Sequence, residues 1–128
     1  MESSFLSSKH MENYLDLVME DQMCKGDVER ASLFYIISGN DDLYRKRRFI
    51  YDPKDHSIKR CLDNTDVDFS SSIKALVRLG FNLYNGWSDE YTTPMDLLGC
   101  LDDNNRKLAN NAIQIRFDSS FYYGMLEQ

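Results

Sequence analysis

Between Leu43 and Arg60 the chain carries Arg45, Lys46, Arg47, Arg48, Lys54, Lys59 and Arg60 against only Asp52 and Asp55. Beside Tyr44 and Tyr51, such a run could contact phosphates while the aromatic rings stack on bases. A nucleic-acid binder is usually basic as a whole domain. This chain has a net charge of −6. A solvated, partly ion-paired surface is the simpler reading, and direct nucleic-acid binding is not expected.

From Cys61 onward the balance reverses. Asp63, Asp66 and Asp68 come first, then Asp89, Glu90, Asp96, Asp102 and Asp103, with no Lys or Arg between Trp87 and Asn105. Asp63, Asp66 and Asp68 raise the idea of a divalent cation. A calcium loop, however, also needs a glycine at its bend and a distal bidentate glutamate, and neither is present. Their bland role is to supply negative charge at the start of the helix that follows. Any two of these acids could be imagined as the carboxylate pair of a hydrolase, so the idea gains nothing from their spacing. Asp89, Glu90, Asp102 and Asp103 are different, because Trp87 and Tyr91 are interleaved with them. Exposed aromatics ringed by charge make a protein-binding hot spot. A helix of four to five turns separates Asp63 and Asp66 from Asp89 and Glu90, which predicts the two groups at opposite ends, ~20–25 Å apart at 1.5 Å per residue.

The remaining reactive side chains form no recognisable site. Cys24, Cys61 and Cys100 are odd in number and far apart, which argues against a disulfide framework and against zinc. Reduced, largely buried thiols are expected. His10 and His56 make no metal pair at helical spacing, and His10, one turn before Tyr14, reads as a half-buried structural histidine. There is no Gly-x-Ser-x-Gly elbow, phosphate loop or dinucleotide fingerprint. No catalytic residue, metal or cofactor is assigned, and the chain is not expected to be an enzyme.

The elements that would position these residues are mostly helices. Ile73, Leu76, Val77, Gly80, Phe81 and Tyr84 recur at the spacing of one helical face, with Ala75, Leu79 and Leu83 as a second ridge. Lys74, Arg78 and Asn82 form its one polar stripe, either a solvent edge or a polar floor beneath partner acids, the former favoured. A helix this apolar is expected at the centre of the fold, spanning about 71–85, capped by serine and released by Asn85-Gly86. Before it, a helix from Ser8 to Met23 should bury Met11, Tyr14, Leu15 and Val18 and end at Gly26. Asp27 should cap a second helix, Val28–Ser38, although Phe34–Ile37 would also suit a strand. A short third helix should start at Asn40 or Asp41 and run to about Phe49, broken before Pro53. Beyond it lies a loop with at most a helical turn near Ile58–Leu62, or alternatively a hairpin around Pro53. Thr93-Pro94 opens a short helix, and Asp102 or Asp103 opens a last one to about Phe117. The aromatic tail from Phe121 to Leu126 should pack back on the body.

These readings predict an all-α or mainly α fold with at most a short hairpin, a single domain over residues 1–128 with about five to six helices. The 128-residue length suits one core. No apolar run approaches the ~20 residues that span a membrane, and Met1–Phe5 lacks the pattern of a signal peptide. A cytosolic protein is expected.

The stretches Asp27–Tyr44, Leu79-Gly80-Phe81-Asn82-Leu83-Tyr84-Asn85-Gly86 and Ala112–Phe117 resemble an uncharacterised family of small bacterial proteins carried by prophages and other mobile elements. The resemblance covers about residues 5–117, with Phe34-Tyr35-Ile36-Ile37-Ser38-Gly39-Asn40 and Asn82–Gly86 its most distinctive pieces. It assigns no activity to any residue. What it implies is context: small acidic proteins of mobile elements often block a host defence component, CRISPR nucleases being the best-known target. The resulting expectation is an anti-CRISPR-like inhibitor acting in the host bacterial cytosol. It would bind an effector such as Cas9 through Trp87, Asp89, Glu90, Tyr91, Asp102 and Asp103, with Asp63, Asp66 and Asp68 as a lesser group. The alternatives are a small enzyme with an unrecognised site, or a nucleic-acid-binding regulator using residues 45–48.

Overall fold

The computed structural model describes residues 3–63 and 67–128, so Asp66 lies outside the described residues. The fold is mainly helical, as the periodicity predicts, with a single two-stranded hairpin among the described residues.

Helix α1 spans Ser8–Asp21 and is capped by the Ser7 hydroxyl, which accepts from the His10 N–H. Its buried face is not the expected one. His10, Asn13, Tyr14, Leu17 and Asp21 point inward, while Leu15 is 49% exposed. The polar members of this face explain the rotation, because each of those traced below finds partners that an aliphatic side chain could not satisfy. The helix ends at Gln22, in the left-handed conformation (φ 55°), rather than at Gly26. Met23 N–H returns to the Val18 carbonyl, and Met23 packs against the core, the usual accompaniment of this kind of helix end.

Helix α2, Val28–Ser38, is capped by Asp27 as expected, and the strand alternative is not taken. Every residue from Ala31 to Ser38 is buried, and α2 packs against α1, α3, α4 and α6. It therefore displaces residues 71–85 from the centre of the fold. Eight consecutive residues without a charge leave α2 no face for water, and Ser32 and Ser38 return their hydroxyls to the carbonyls of Glu29 and Tyr35. Helix α4, Ser71–Asn85, runs from its Ser70 cap to Gly86 and is packed most extensively against α2. It is excluded from the centre by its polar stripe.

Helix α3, Asp41–Arg45, is capped by Asn40, and a 3₁₀ turn, Arg47–Phe49, follows. The chain then forms the hairpin of β1 (Tyr51–Asp52) and β2 (Ser57–Ile58), with Tyr51 opposite Ile58 and Asp52 opposite Ser57. This is the hairpin around Pro53 that the sequence offers as the alternative to a loop with at most a helical turn near Ile58–Leu62. Helices α5 (Pro94–Leu98) and α6 (Asp103–Phe117) start at the Thr93 and Asp102 caps. Asp118 closes α6 and caps α7, Ser119–Leu126, a helix beyond the five to six expected. Tyr122 and Met125 bury the tail, and the Gln128 side chain accepts from Ser3 and Ser4, clasping the two ends. Among the described residues no helix is long and apolar enough to cross a membrane.

Candidate functional site

Within residues 45–48 three of the four cations are engaged by acids, two of them by the same carboxylate. Arg45 and Lys46 both engage Asp42, Lys46 also donates to the Asp68 carbonyl, and Arg47 lies over the Tyr44 ring at 4.2 Å. Arg48 grips Glu20 with two hydrogen bonds of 2.6 Å, which hold that carboxyl below the usual range. Guanidinium groups so engaged are poor candidates for reading phosphates.

The acids behave differently from their sequence positions. After α4 the chain folds back along the helix, so that Asp89 meets Arg78 at 2.9 Å and Tyr91 covers the same guanidinium at 5.0 Å. The Asn82 amide donates to the Trp87 carbonyl at 3.0 Å. Arg78 and Asn82, two of the stripe's three residues, therefore lie half-buried beneath an acid-bearing loop rather than forming a solvent edge. Burial alone would raise the Asp89 carboxyl. The Thr92 hydroxyl, the Arg78 guanidinium and the Tyr91 N–H hold it below the ordinary range instead.

This folding back brings Asp63 and Asp89 to one cleft of about 450 Å³ rather than leaving them at opposite ends of α4. Its walls include Phe81 and Trp87, edge to face at 5.6 Å between ring centres, with Cys61 buried beneath. Trp87 is half-buried, so it is not the exposed anchor that was expected. Asp68 is exposed near the start of α4, Asp102 spends one oxygen on the Asn105 N–H as a helix cap, and Glu90 and Asp103 are exposed. Outside the cleft, Tyr91 is 52% and Met95 79% exposed.

One constellation was not legible in the sequence. The Asp21 side chain, 1% exposed, accepts from three elements at once. Arg30 of α2 donates to Oδ2 at 2.9 Å, while Tyr51 of β1 and His56 Nδ1 each bond Oδ1 at 2.8 Å. Burial first, then the bond to Asp21, pushes the Tyr51 hydroxyl far above its ordinary value. His56 sits in the turn between β1 and β2 with φ 53°, and its carbonyl accepts from the Tyr84 hydroxyl of α4 at 2.9 Å. Its ring is 44% exposed and opens on a cleft lined by Asp27, Glu29, Arg30 and Tyr84. A part-exposed histidine whose Nδ1 is held by a buried carboxylate has the arrangement of a general base. The only sequence signal was an acid at the inward edge of α1, and nothing local links it to residue 56.

His10 is fully buried rather than half-buried. Its Nδ1 accepts from the Leu6 N–H at 3.1 Å and its Nε2 donates to the Tyr35 carbonyl at 2.9 Å, which assigns the proton to Nε2. Burial pushes its pKa down to about 4. The thiols also depart from expectation, since Cys24 and Cys100 are exposed and only Cys61 is buried. Among the described residues no group of three or more His, Cys, Asp or Glu side chains is placed to hold a metal ion.

Fold and surface together describe a small, mainly helical domain with an acidic, partly apolar face and a separate buried-carboxylate knot. The chain belongs to a family of unknown function, DUF6075, whose model matches residues 1–128. No curated protein and no solved structure shows significant similarity to it.

Proposed function

We propose that the chain is an interaction protein whose docking face is the stretch from Glu90 to Asp103. The observation that carries this reading is the exposure of Met95 and Tyr91 within the stretch without Lys or Arg, where Glu90, Asp96, Asp102 and Asp103 are also exposed. A pliable methionine and an aromatic ring among uncompensated acids suit a partner that is apolar at its centre and basic at its rim. Asp89 contributes less than its neighbours, because Arg78 already neutralises it. In the mobile-element setting that the resemblance implies, the partner is a host defence complex in the bacterial cytosol. A CRISPR effector such as Cas9 holds its nucleic acids in a positively charged channel, and an acidic face can occupy that channel. The test is cleavage of a target duplex by purified Cas9–guide complex with increasing amounts of the chain. Inhibition that weakens with salt, and that the E90K/D96K variant loses, supports the reading. Undiminished cleavage at a large excess of the chain removes Cas9 as the partner.

A second reading, a small hydrolytic enzyme, is favoured by the Asp21–His56 pair. It requires that His56→Gln abolish turnover of a model ester while leaving the fold intact; equal turnover by both proteins excludes it.

A further inference from the structure

The cleft between the 58–63 segment and α4 borders the proposed docking face at Arg78, which Tyr91 covers, and has its own chemistry. Its volume of about 450 Å³ falls within the range of small-molecule sites. One side is apolar, formed by Trp87 and Leu62 with the 2% exposed Phe81 behind them, and a planar ring could lie against the Trp87 indole that Phe81 meets edge to face. The polar side carries the cations Lys59, Arg60 and Arg78 against the carboxylates Asp63 and Asp89. Both acids are already claimed, Asp63 by Arg60 at 3.3 Å and Asp89 by Arg78 at 2.9 Å. Among the described residues the Lys59 ammonium makes no salt bridge, although it is near enough to Asp52 to help the Lys54 N–H hold that carboxyl down, and the described lining carries three cations against two carboxylates. Burial pushes the Cys61 thiol up to about 11, so at neutral pH it stays protonated, and at 2% exposure it is not available as a nucleophile.

We infer that this cleft binds a small molecule made of one planar apolar ring and one anionic group, the ring against Trp87 and the anion on Lys59. Binding is non-covalent. Its two anchors, Trp87 and Lys59, lie outside the Glu90–Asp103 face, so either reading can fail without the other.

Trp87 is the only tryptophan in the chain, which makes its emission a direct report on the cleft. The intact protein is titrated with 3-phenylpropionate, with the uncharged 3-phenylpropionamide and with inorganic phosphate. The Trp87 indole N–H is followed by NMR in parallel. The expected result is saturable binding of the acid at or below about 1 mM. The amide should bind about fivefold more weakly, the effect of one solvent-screened charge, and phosphate should leave Trp87 unmoved. Lys59→Met should erase the difference between acid and amide while keeping the amide's affinity. No saturation by about 10 mM, equal affinities for acid and amide, or a phosphate response as large as that of the acid overturns the inference. If Lys59→Met disturbs the spectrum beyond the cleft, the comparison of acid, amide and phosphate on the parent protein decides alone.

Discussion

A carboxylate removed from water is stable only where donors replace the water, and Asp21 has three of them. Asp21→Ala would leave the Arg30 guanidinium and two further donors facing an empty site. It should cost about 3–5 kcal/mol, as breaking a buried pair does. Tyr51→Phe removes one hydrogen bond and should cost about 1–2 kcal/mol. His56→Gly loses a bond to the same oxygen but relieves the left-handed backbone, worth about 1 kcal/mol, so it should fall closer to the parent than either. Urea unfolding orders the three, and a His56→Gly as damaging as Asp21→Ala would mean that the ring, not the carboxylate, holds the knot. His10 supplies a pH signature. Its folded pKa of about 4 lies below the unfolded value of 6.5, so between these limits the unfolded chain binds more protons. The stability it supplies is complete above pH 6.5 and is lost as the pH falls towards 4. The loss is on the order of 3 kcal/mol. Unfolding measured across that window should show this slope in the parent and a flatter one in His10→Gln.

At the level of elements, the hub is set by how closely α2 and α4 approach. A Cβ built on Gly80 would lie 2.9 Å from Leu33 Cδ1, so the crossing depends on the missing side chain. Gly80→Val should cost about 1–3 kcal/mol or more by overpacking. Gly124, in α7, meets nothing within 4 Å, and Gly124→Ala should stabilise by about 0.5–1 kcal/mol through helix propensity. Opposite shifts in melting temperature confirm the pair; a stabilising Gly80→Val would mean that α2 and α4 do not touch there. Leu33→Ala in α2 and Leu76→Ala in α4 should each cost about 2–5 kcal/mol, since both side chains are at most 1% exposed.

For the molecule as a whole, stability and surface charge should separate. Glu90 and Asp96 are exposed, and neither forms a salt bridge among the described residues. The cost of E90K/D96K should be confined to about 1 kcal/mol at the start of α5, where Asp96 accepts from the Thr93 hydroxyl, while the variant loses the steepest part of the salt dependence of partner binding. A variant that binds as before at low salt places the partner on another face. The thiols test the packing in the same spirit. Ellman's reagent should titrate two cysteines in the native chain, Cys24 and Cys100, and the third, Cys61, only on unfolding. Rapid reaction of all three would show that the cleft floor is open to solvent.

The helix starts were legible in the sequence because a cap acts within a few residues. Asp27, Ser70, Thr93 and Asp102 each accept from an N–H three positions ahead, and no distant residue is needed to place them. The mainly helical class followed from the same local periodicity. Tertiary structure decided what lies between helices: which face of α1 turns inward, that α2 rather than residues 71–85 lies at the centre, and that Asp63 and Asp89 share a cleft. Asp21 shows why. Its partners Arg30, Tyr51 and His56 are 9, 30 and 35 positions away, and only packing that expels water brings a carboxylate and these donors together.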